Sequence, residues 1–461
     1  MRKKADLKKN MRVMLVVFVG LFVLLGTYLL YSTVVYGNQW FTTPYNPRIS
    51  AAKNVGKAGV IYDRNGVKLA YSKDGERKYA DSEEMRRAVS HIVGDVYGKS
   101  LGAETYFAKY LYGYDQSVFD KVAGAQSGQT GGDVYLTIDA NLSEYIYNNM
   151  EYNGAAVVMN YETGEVLASV SVPTFDPNTI KNDEEETGSK YLNRVTQGKY
   201  PPGSTMKIVT AASAMQNGIT DLEIDCTGSK IIEGQKITCP KEGGHGHVDL
   251  KTAFEKSCNV YFAELAVEIG DQKLMNTAEQ FAFNKKFGFP DFNLATSNFE
   301  LTKNLGDLAW AGIGQYKDLV TPMQDMMISA AIGNNGVMMQ PNTLYDVKYG
   351  DRSGYTYKAT PFLTAASADI SANIAQFMRD TVTNGTATSA DIGGVAACGK
   401  TGTAEFVEDG EVKNHSWFTG FIKDAEHPLA IAVILEGAGF GSAHATPLAA
   451  DVLSKAVDLG Y

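Results

Sequence analysis

The sequence predicts an α+β protein built on one five-stranded antiparallel sheet, with a helical subdomain inserted between its strands. Two alternating or apolar strand patterns come first, at residues 155–160 and 165–171. A long series of helical patterns follows, and three further strand patterns then occupy residues 397–406, 416–422 and 429–437. A last helical pattern, at about residues 446–459, closes the chain. Strands on both sides of a run of helices favour a single sheet with helices packed on it.

Length and composition limit the classes of protein to which this chain can belong. The chain has 461 residues, of which 44% are hydrophobic and 20% are charged. These values are typical of a globular protein, and the length allows two or three domains with sizeable cores. The formal net charge is −10. Such a balance argues against nucleic-acid binding, which needs a basic face to displace counterions.

The N-terminus has the character of a membrane anchor. Residues 1–12 carry six basic side chains and one acidic side chain, and residues 13–31 follow without any charge. A helix of 19 apolar residues nearly matches the hydrocarbon core of a bilayer. A cleavable signal peptide would need a shorter run and a site of small residues, whereas this run ends in Leu29, Leu30 and Tyr31. The sequence therefore predicts a cytoplasmic tail (1–12), an uncleaved single span (13–31) and an extracytoplasmic remainder.

The remainder divides into two predicted domains that differ in composition and in secondary-structure pattern. Residues 32–150 are polar, rich in Tyr and Gly and broken into short pieces, and form the first predicted domain. Residues 151–461 alternate strands with apolar helices and form the second. A helix over 204–216 has almost no polar face and should be buried. Further helices are predicted at 250–254, 260–269, 321–332 and 368–383.

Ser204 and Lys207 form a candidate nucleophile and base. A serine hydroxyl needs a neighbouring base because it does not ionise near neutrality. Positions i and i+3 of a helix share a face, so the Lys207 amine can reach the Ser204 hydroxyl. The first turn of a helix also offers free N–H groups to a developing negative charge. This four-residue pattern is weak evidence when it stands alone.

Two further short motifs strengthen the pattern. Ser257-Cys258-Asn259 is an S-x-N between helical segments, and Lys400-Thr401-Gly402 lies in a strand pattern. An S-x-x-K, an S-x-N and a K-[ST]-G in this order accompany serine acyl-enzyme chemistry in penicillin-binding proteins and class A β-lactamases.

The chain resembles the class B penicillin-binding proteins, which are monofunctional peptidoglycan D,D-transpeptidases. The resemblance covers nearly everything after the apolar run. It implies that residues 32–150 form a non-catalytic pedestal and that residues 151–461 form the catalytic transpeptidase domain. The compact pedestal makes the chain most similar to short Gram-positive members. The matching stretches are YPPGSTMK (200–207), GHGHVDLKTAFEKSCN (244–259), GIGQ (312–315) with TPMQ (321–324), CGKTGTAE (398–405) and, in the pedestal, GVIYDRNGVKLA (59–70).

The resemblance implies a role for each site residue in the acylation step. Ser204 would attack the carbonyl of a D-Ala-D-Ala stem peptide, and a neutral Lys207 would accept its proton. Ser257 would pass a proton to the departing D-Ala. Asn259 would bind the substrate amide and help to fix Lys207.

The same resemblance implies how substrate is held. The backbone N–H groups of Ser204 and Thr403 would form an oxyanion hole. Lys400, with the hydroxyls of Thr401 and Thr403, would hold the terminal carboxylate, and Gly402 would let the substrate backbone lie along the strand. A second stem peptide would then take the acyl group. β-Lactams would act as inhibitors that mimic the donor, and no cofactor is implied.

Three other functions remain open at this stage. Glu300 and Asn304 form an E-x-x-x-N, the pattern with which a class A β-lactamase holds its deacylating water, although the long block around Ser257 does not fit that class. A D,D-carboxypeptidase would use the same site with water as acceptor. The chain could also act mainly as an interaction protein, with its anchor and pedestal activating a polytopic membrane glycosyltransferase.

A metal site is not predicted. Cys226, Cys239, His245 and His247 suggest zinc, but their spacing does not match the usual structural zinc sites. An oxidising outer compartment favours a Cys226–Cys239 disulfide or free thiols. The other two cysteines are expected to be small buried packing residues: Cys258 and Cys398.

Overall fold

The computed structural model describes residues 2–41, 58–116, 131–181, 188–300, 302–408 and 410–461. Residues 42–57 and 117–130 of the predicted pedestal therefore lie outside the described residues. The chain divides into two compact units, 1–53 and 54–461.

The first unit contains helix α1 (Arg2–Phe41), which extends beyond the predicted span of 13–31 at both ends. Its stretch Lys8–Tyr36 is long and apolar enough to cross a membrane, judged by length and composition. Large apolar side chains point outward along it; Val16 and Phe22, for example, are 70% and 73% exposed. A helix with this surface suits a lipid environment, so α1 has the properties of a membrane anchor.

The described strands of the second unit are, in chain order, β1 (Ile61–Tyr62), β2 (Lys68–Lys73), β3 (Glu76–Tyr79), β4 (Asp133–Leu136), β5 (Gly154–Asn160), β6 (Val166–Val172), β7 (Ile224–Cys226), β8 (Ser229–Ile232), β9 (Gln235–Thr238), β10 (Gly246–Val248), β11 (Val337–Met339), β12 (Leu344–Tyr349), β13 (Arg352–Thr356), β14 (Pro361–Thr364), β15 (Ala397–Glu408), β16 (Glu411–Ile422) and β17 (Leu429–Leu435).

The described helices of this unit are α2 (Glu83–Ala88), α3 (Ser90–Val93), α4 (Ala103–Tyr106), α5 (Ala108–Leu111), α6 (Ala140–Asn149), α7 (Arg194–Gln197), α8 (Lys207–Gln216), α9 (Leu250–Glu255), α10 (Asn259–Ile269), α11 (Asp271–Gln280), α12 (Leu305–Ala311), α13 (Pro322–Gly333), α14 (Ala368–Thr383) and α15 (Ala445–Asp458), with 3₁₀ turns η1 (Gly203–Met206) and η2 (Thr388–Ala390).

The predicted five-stranded antiparallel sheet is confirmed, with strand order β15-β16-β17-β5-β6. Successive residues of a strand point to opposite faces. In β5, Val157 therefore joins a core that also contains Met327 of α13, while Val158 joins a second core with Val452 of α15. Helices thus cover both faces of the sheet, and β15 is left at its edge.

The inserted helices lie between β6 and β15 in the chain, as predicted. Helix α8 is buried at eight consecutive residues from its first, Lys207, onward. The predicted single helix over 204–216 is, however, a 3₁₀ turn, η1, followed by α8. The nucleophile candidate Ser204 consequently lies in the tighter turn that precedes the α-helix.

A second sheet crosses the predicted domain boundary at residue 150. Its six strands have the order β13-β12-β4-β1-β2-β3, so strands from residues 344–356 extend the sheet formed by residues 61–136. Strand β12 pairs antiparallel with β4, with Val347 opposite Val134. The predicted pedestal therefore shares its sheet with a segment that the sequence assigned to the catalytic domain.

Candidate active site

Ser204 lies in a turn whose backbone is fixed on both sides. Gly203 has a φ of +56° and donates its N–H to the Gly314 carbonyl over 2.8 Å. A Cβ at Gly203 would come within 2.4 Å of the Thr403 carbonyl oxygen. Glycine therefore allows the turn to lie directly against edge strand β15, which brings the backbone of Ser204 close to that of Thr403.

Lys207 is fully buried and its amine has three partners. Its Nζ lies 2.9 Å from the Ser257 carbonyl oxygen, 3.2 Å from the Ser257 Oγ and 2.7 Å from the Asn259 Oδ1. Asn259 is oriented by its own amide, which donates to the Thr238 carbonyl over 2.9 Å. Burial lowers the pKa of Lys207 to about 8. No hydrogen bond joins Ser204 to Lys207 within the described parts of the chain.

Ser257 connects the two lysines of the site. It lies between α9 and α10 with a φ of +53°, a conformation that few non-glycine residues adopt. The Lys400 Nζ lies 2.9 Å from its Oγ, so both amines contact one hydroxyl. Backbone strain of this kind is concentrated at functional sites, where the surroundings over-determine it.

Lys400 is buried behind the wall of the site. Its amine also donates to the Thr401 carbonyl over 3.0 Å and lies 5.8 Å from the centre of the Phe254 ring. Burial lowers the pKa of Lys400 well below its usual range, and the nearby charge of Lys207 lowers it further. Lys400 therefore contacts Ser257 directly but does not line the adjoining cavity.

A cavity of about 550 Å³ opens next to these groups. Five of the predicted site residues line it: Ser204, Ser257, Asn259, Thr401 and Thr403. The side chains of Lys207 and Lys400 lie behind its wall, and Gly402 packs its backbone against Trp417 and Thr205. The sequence motifs thus converge, although they are up to about 200 residues apart.

Sequence reasoning missed several residues of the cavity. Thr386 has its Oγ1 2.7 Å from that of Thr401, and Asn414 reaches the cavity from strand β16. Trp310 and Phe440 add aromatic surface. None of these belongs to a short motif, so only the folded chain brings them to the site.

The candidate β-lactamase pair lies elsewhere. Glu300 forms an ion pair with Lys317 at 2.9 Å. Asn304 caps α12, where its side chain accepts from the Asp307 N–H. Neither side chain lines the cavity.

Of the four residues that suggested zinc, Cys226, Cys239 and His245 lie together, whereas His247 does not join them. All four cysteines are free and buried. His247 is exposed and lies 3.3 Å from carboxylates of Glu223 and Asp225. Cys226 and Cys239 instead lie beside His245 and Cys258.

The site has the features of serine acyl transfer. It combines a serine in a glycine-fixed turn, two buried amines that contact one hydroxyl, and an edge strand beside a cavity. Residues 154–454 match the penicillin-binding protein transpeptidase domain. The chain belongs to this family, as the resemblance in the sequence indicated.

Individual relatives agree with this assignment. The chain is 28% identical to the peptidoglycan D,D-transpeptidase PbpA of Mycolicibacterium smegmatis, over 90% of this chain and 92% of the relative. It is 27% identical to the stage V sporulation protein D of Bacillus subtilis, over 89% of this chain and 68% of the relative. Among solved structures it is similar to a penicillin G acyl-enzyme complex of M. tuberculosis penicillin-binding protein A, with a TM-score of 0.78, 26% identity and coverage of 87% and 99%.

Proposed function

We propose that this chain is a peptidoglycan D,D-transpeptidase that forms an acyl-enzyme on Ser204. The observation that carries the proposal is the convergence of two buried amines, those of Lys207 and Lys400, on the Ser257 hydroxyl. This hydroxyl lines the same cavity as Ser204. A proton taken from Ser204 thus has a path to a leaving group bound in that cavity.

In the first step, a neutral Lys207 receives the Ser204 proton. The Ser257 carbonyl and the Asn259 Oδ1 can only accept hydrogen bonds, so they engage the two N–H bonds of the neutral amine. The lone pair of the Lys207 nitrogen then remains available to accept a hydrogen bond from a hydroxyl. Ser204 Oγ forms a bond to the D-Ala carbonyl carbon while its proton passes to Lys207.

In the second step, the peptide bond breaks and the departing D-Ala amine takes a proton from Ser257. Ser257 recovers that proton from the Lys207 ammonium, which lies 3.2 Å from its Oγ. The backbone N–H groups of Ser204 and Thr403 stabilise the oxyanion between the two steps, since their segments are in contact at Gly203.

The terminal carboxylate of the donor is bound by hydroxyls on the edge strand. Thr401 and Thr403 line the cavity, and Thr386 supports Thr401. Lys400 acts as a positioning residue, because its amine lies behind the wall and reaches substrate through Ser257. An amine of a second stem peptide then attacks the acyl-enzyme, and the cross-link forms.

We expect Ser204→Ala to abolish covalent labelling of the detergent-solubilised chain by fluorescent penicillin, because the attacking oxygen is lost. Ser353→Ala is the control, since Ser353 is exposed on β13, does not line the cavity and should leave labelling intact. Mass spectrometry should place the wild-type adduct on the peptide that contains Ser204. Labelling that persists in Ser204→Ala would contradict the assignment.

Product analysis separates the transpeptidase from its alternatives. With a stem-peptide donor and an amine acceptor, a transpeptidase yields the cross-linked product. A carboxypeptidase releases D-Ala at the same rate with or without the acceptor. A β-lactamase turns over a chromogenic cephalosporin many times, whereas one slow acylation event is expected here.

We further propose that the N-terminus is cytoplasmic, that the second unit lies outside the membrane and that a polytopic glycosyltransferase is a partner. The basic residues before Val13 support this orientation. The outward apolar side chains of α1 offer a surface to a second membrane protein. Replacing α1 with an unrelated membrane span should keep penicillin labelling but lose co-purification with such a partner from membranes.

A further inference from the structure

Four potential metal ligands meet beside the S-x-N motif. They come from four separate places: Cys226 at the end of β7, Cys239 just after β9, His245 just before β10, and Cys258 at the N-cap of α10. Their ligand atoms all lie within 4.8 Å of one another.

Three of the six distances between these ligand atoms are close to those of a tetrahedron around one ion. Cys226 Sγ lies 3.7 Å from Cys239 Sγ and 3.7 Å from His245 Nδ1, and Cys239 Sγ lies 3.7 Å from Cys258 Sγ. Tetrahedral zinc with Zn–S bonds of about 2.3 Å places neighbouring sulfurs about 3.8 Å apart. A disulfide, in contrast, needs sulfurs about 2.05 Å apart. Three thiols in one group would also leave one sulfur unpaired in any disulfide.

The local backbone is built to hold these four side chains together. Strand β10 pairs with β7 so that Gly246 lies opposite Cys226, which places His245 next to that cysteine. A Cβ at Gly244 would come within 2.1 Å of the Cys226 carbonyl oxygen, so glycine is needed for this close approach. The Cys239 N–H donates to the Gly228 carbonyl over 2.8 Å and fixes the third ligand segment.

The surroundings also suit thiolate sulfur. Val260 N–H points at Cys239 Sγ, and Tyr261 N–H points at Cys258 Sγ, each at 3.5 Å. Both donors belong to the first turn of the eleven-residue helix α10. Backbone N–H groups at a helix N-terminus stabilise thiolates, and such hydrogen bonds commonly support metal-bound sulfur.

We propose that Cys226, Cys239, His245 and Cys258 bind one structural zinc ion. Three thiolates and one imidazole are ligands that suit zinc, and four protein ligands leave no position for a substrate. The zinc hypothesis from the sequence used His247 and omitted Cys258, and the ligand spacing is unusual with either residue, so the sequence pattern alone could not reveal this site. Tertiary structure supplies the correct fourth ligand.

The ion would position the catalytic loop. Cys258 lies between Ser257, which has the positive φ, and Asn259, which contacts Lys207. A bond from zinc to the Cys258 sulfur ties this loop to β7, β9 and β10. This consequence rests on the proposed acyl-transfer function, whereas the presence of the metal does not.

The primary experiment measures metal in the full chain, purified in detergent without added metal or chelator. Elemental analysis should find about one zinc per chain, and Cys226→Ser and His245→Ala should each lose most of it. Cys398→Ser and His247→Ala are the matched controls, because these residues lie outside the group, and they should retain the zinc. Wild-type protein that contains no zinc, or iron in its place, would overturn the proposal. Ligand variants that both retain the wild-type zinc content would also overturn it.

A second measurement does not depend on how well the variants fold. Exchange of cobalt(II) into the wild-type chain should give the visible bands of a tetrahedral site together with sulfur-to-cobalt charge transfer. Peptide mapping under non-reducing conditions should recover Cys226 and Cys239 as separate alkylated thiols. A Cys226–Cys239 disulfide in freshly purified protein would overturn the proposal.

The positioning role has its own readout. Removal of zinc by a chelator should slow acylation by fluorescent penicillin at least ten-fold, and added zinc should restore it. An unchanged acylation rate in zinc-depleted protein would refute the positioning role while leaving the metal assignment intact. A chain that binds zinc but never forms an acyl-enzyme would instead refute the proposed function.

Discussion

Lys207 and Lys400 show how burial changes the chemistry of a common side chain. Both amines are fully buried and share the Ser257 hydroxyl. Taking an ammonium out of water disfavours its charged form, and a second cation nearby disfavours it further. Burial thereby lowers the pKa of both amines, so a larger fraction of each is neutral near pH 7 than at the surface.

This burial predicts the pH dependence of acylation. Burial lowers the pKa of Lys207 to about 8, and only the neutral amine can take the Ser204 proton. The neutral fraction rises with pH, so the acylation rate constant should increase roughly ten-fold per pH unit below pH 8 and level off above it. Stopped-flow labelling with fluorescent penicillin between pH 6 and pH 9 measures this.

Lys207→Arg provides the comparison for that profile. A guanidinium stays charged across the whole range, so this variant should be slow at every pH. A wild-type rate that is flat from pH 6 to pH 9 would contradict the role of Lys207 as the base.

At the scale of elements, the site depends on how closely η1 lies against edge strand β15. Gly402 is a contact point, where an added Cβ would lie 2.8 Å from the Trp417 Cβ and 3.0 Å from the Thr205 Cγ2. Trp417 in turn donates its Nε1–H to the Pro201 carbonyl over 3.1 Å and so holds the segment that leads to Ser204. The oxyanion donors belong to these two elements, so their separation sets the geometry of the hole.

We therefore expect Gly402→Ala to slow acylation by penicillin roughly 10- to 100-fold, because a shift of a few tenths of an ångström to 1 Å misplaces the reacting groups. Gly393→Ala is the control, since a Cβ at Gly393 meets nothing within 4 Å. Acylation rate constants and thermal unfolding midpoints should be measured for both. A Gly402→Ala variant with the wild-type acylation rate would show that this contact is not needed.

At the scale of the whole second unit, the six-stranded sheet ties distant parts of the chain together. A buried ion pair joins its strand β3 to helix α4: Arg77 Nε is 2.6 Å from Glu104 Oε1, and the two side chains are only 1% and 2% exposed. Arg77 also donates to the Gly59 carbonyl over 2.8 Å. Removing one partner of such a pair leaves an uncompensated buried charge.

Glu104→Gln should therefore destabilise the second unit by about 3–5 kcal/mol. The control is Glu83→Gln, which breaks the half-exposed pair of Glu83 with Arg87 and should cost less than about 1 kcal/mol. Thermal unfolding of the full chain in detergent measures both. Equal shifts in the two variants would contradict the importance assigned to the buried pair.

The sequence by itself determined the motif residues and those elements that have a clear local pattern. Helix α14 and the strands of the five-stranded sheet follow from local hydrophobic periodicity, which depends only on neighbouring residues. Ser204, Lys207, Ser257 and Lys400 were recognisable because short motifs preserve their spacing.

Only the tertiary structure decided what depends on distant contacts. The pairing of β12 with β4 joins residues about 200 positions apart, and no local pattern specifies such a partner. The position of Lys400 behind Ser257, the inclusion of Thr386 and Asn414 in the cavity and the grouping of Cys258 with Cys226 have the same origin. The identity of each reactive side chain can be recognised from the local sequence. The distances between these side chains, on which the chemistry depends, are set by packing of the whole chain.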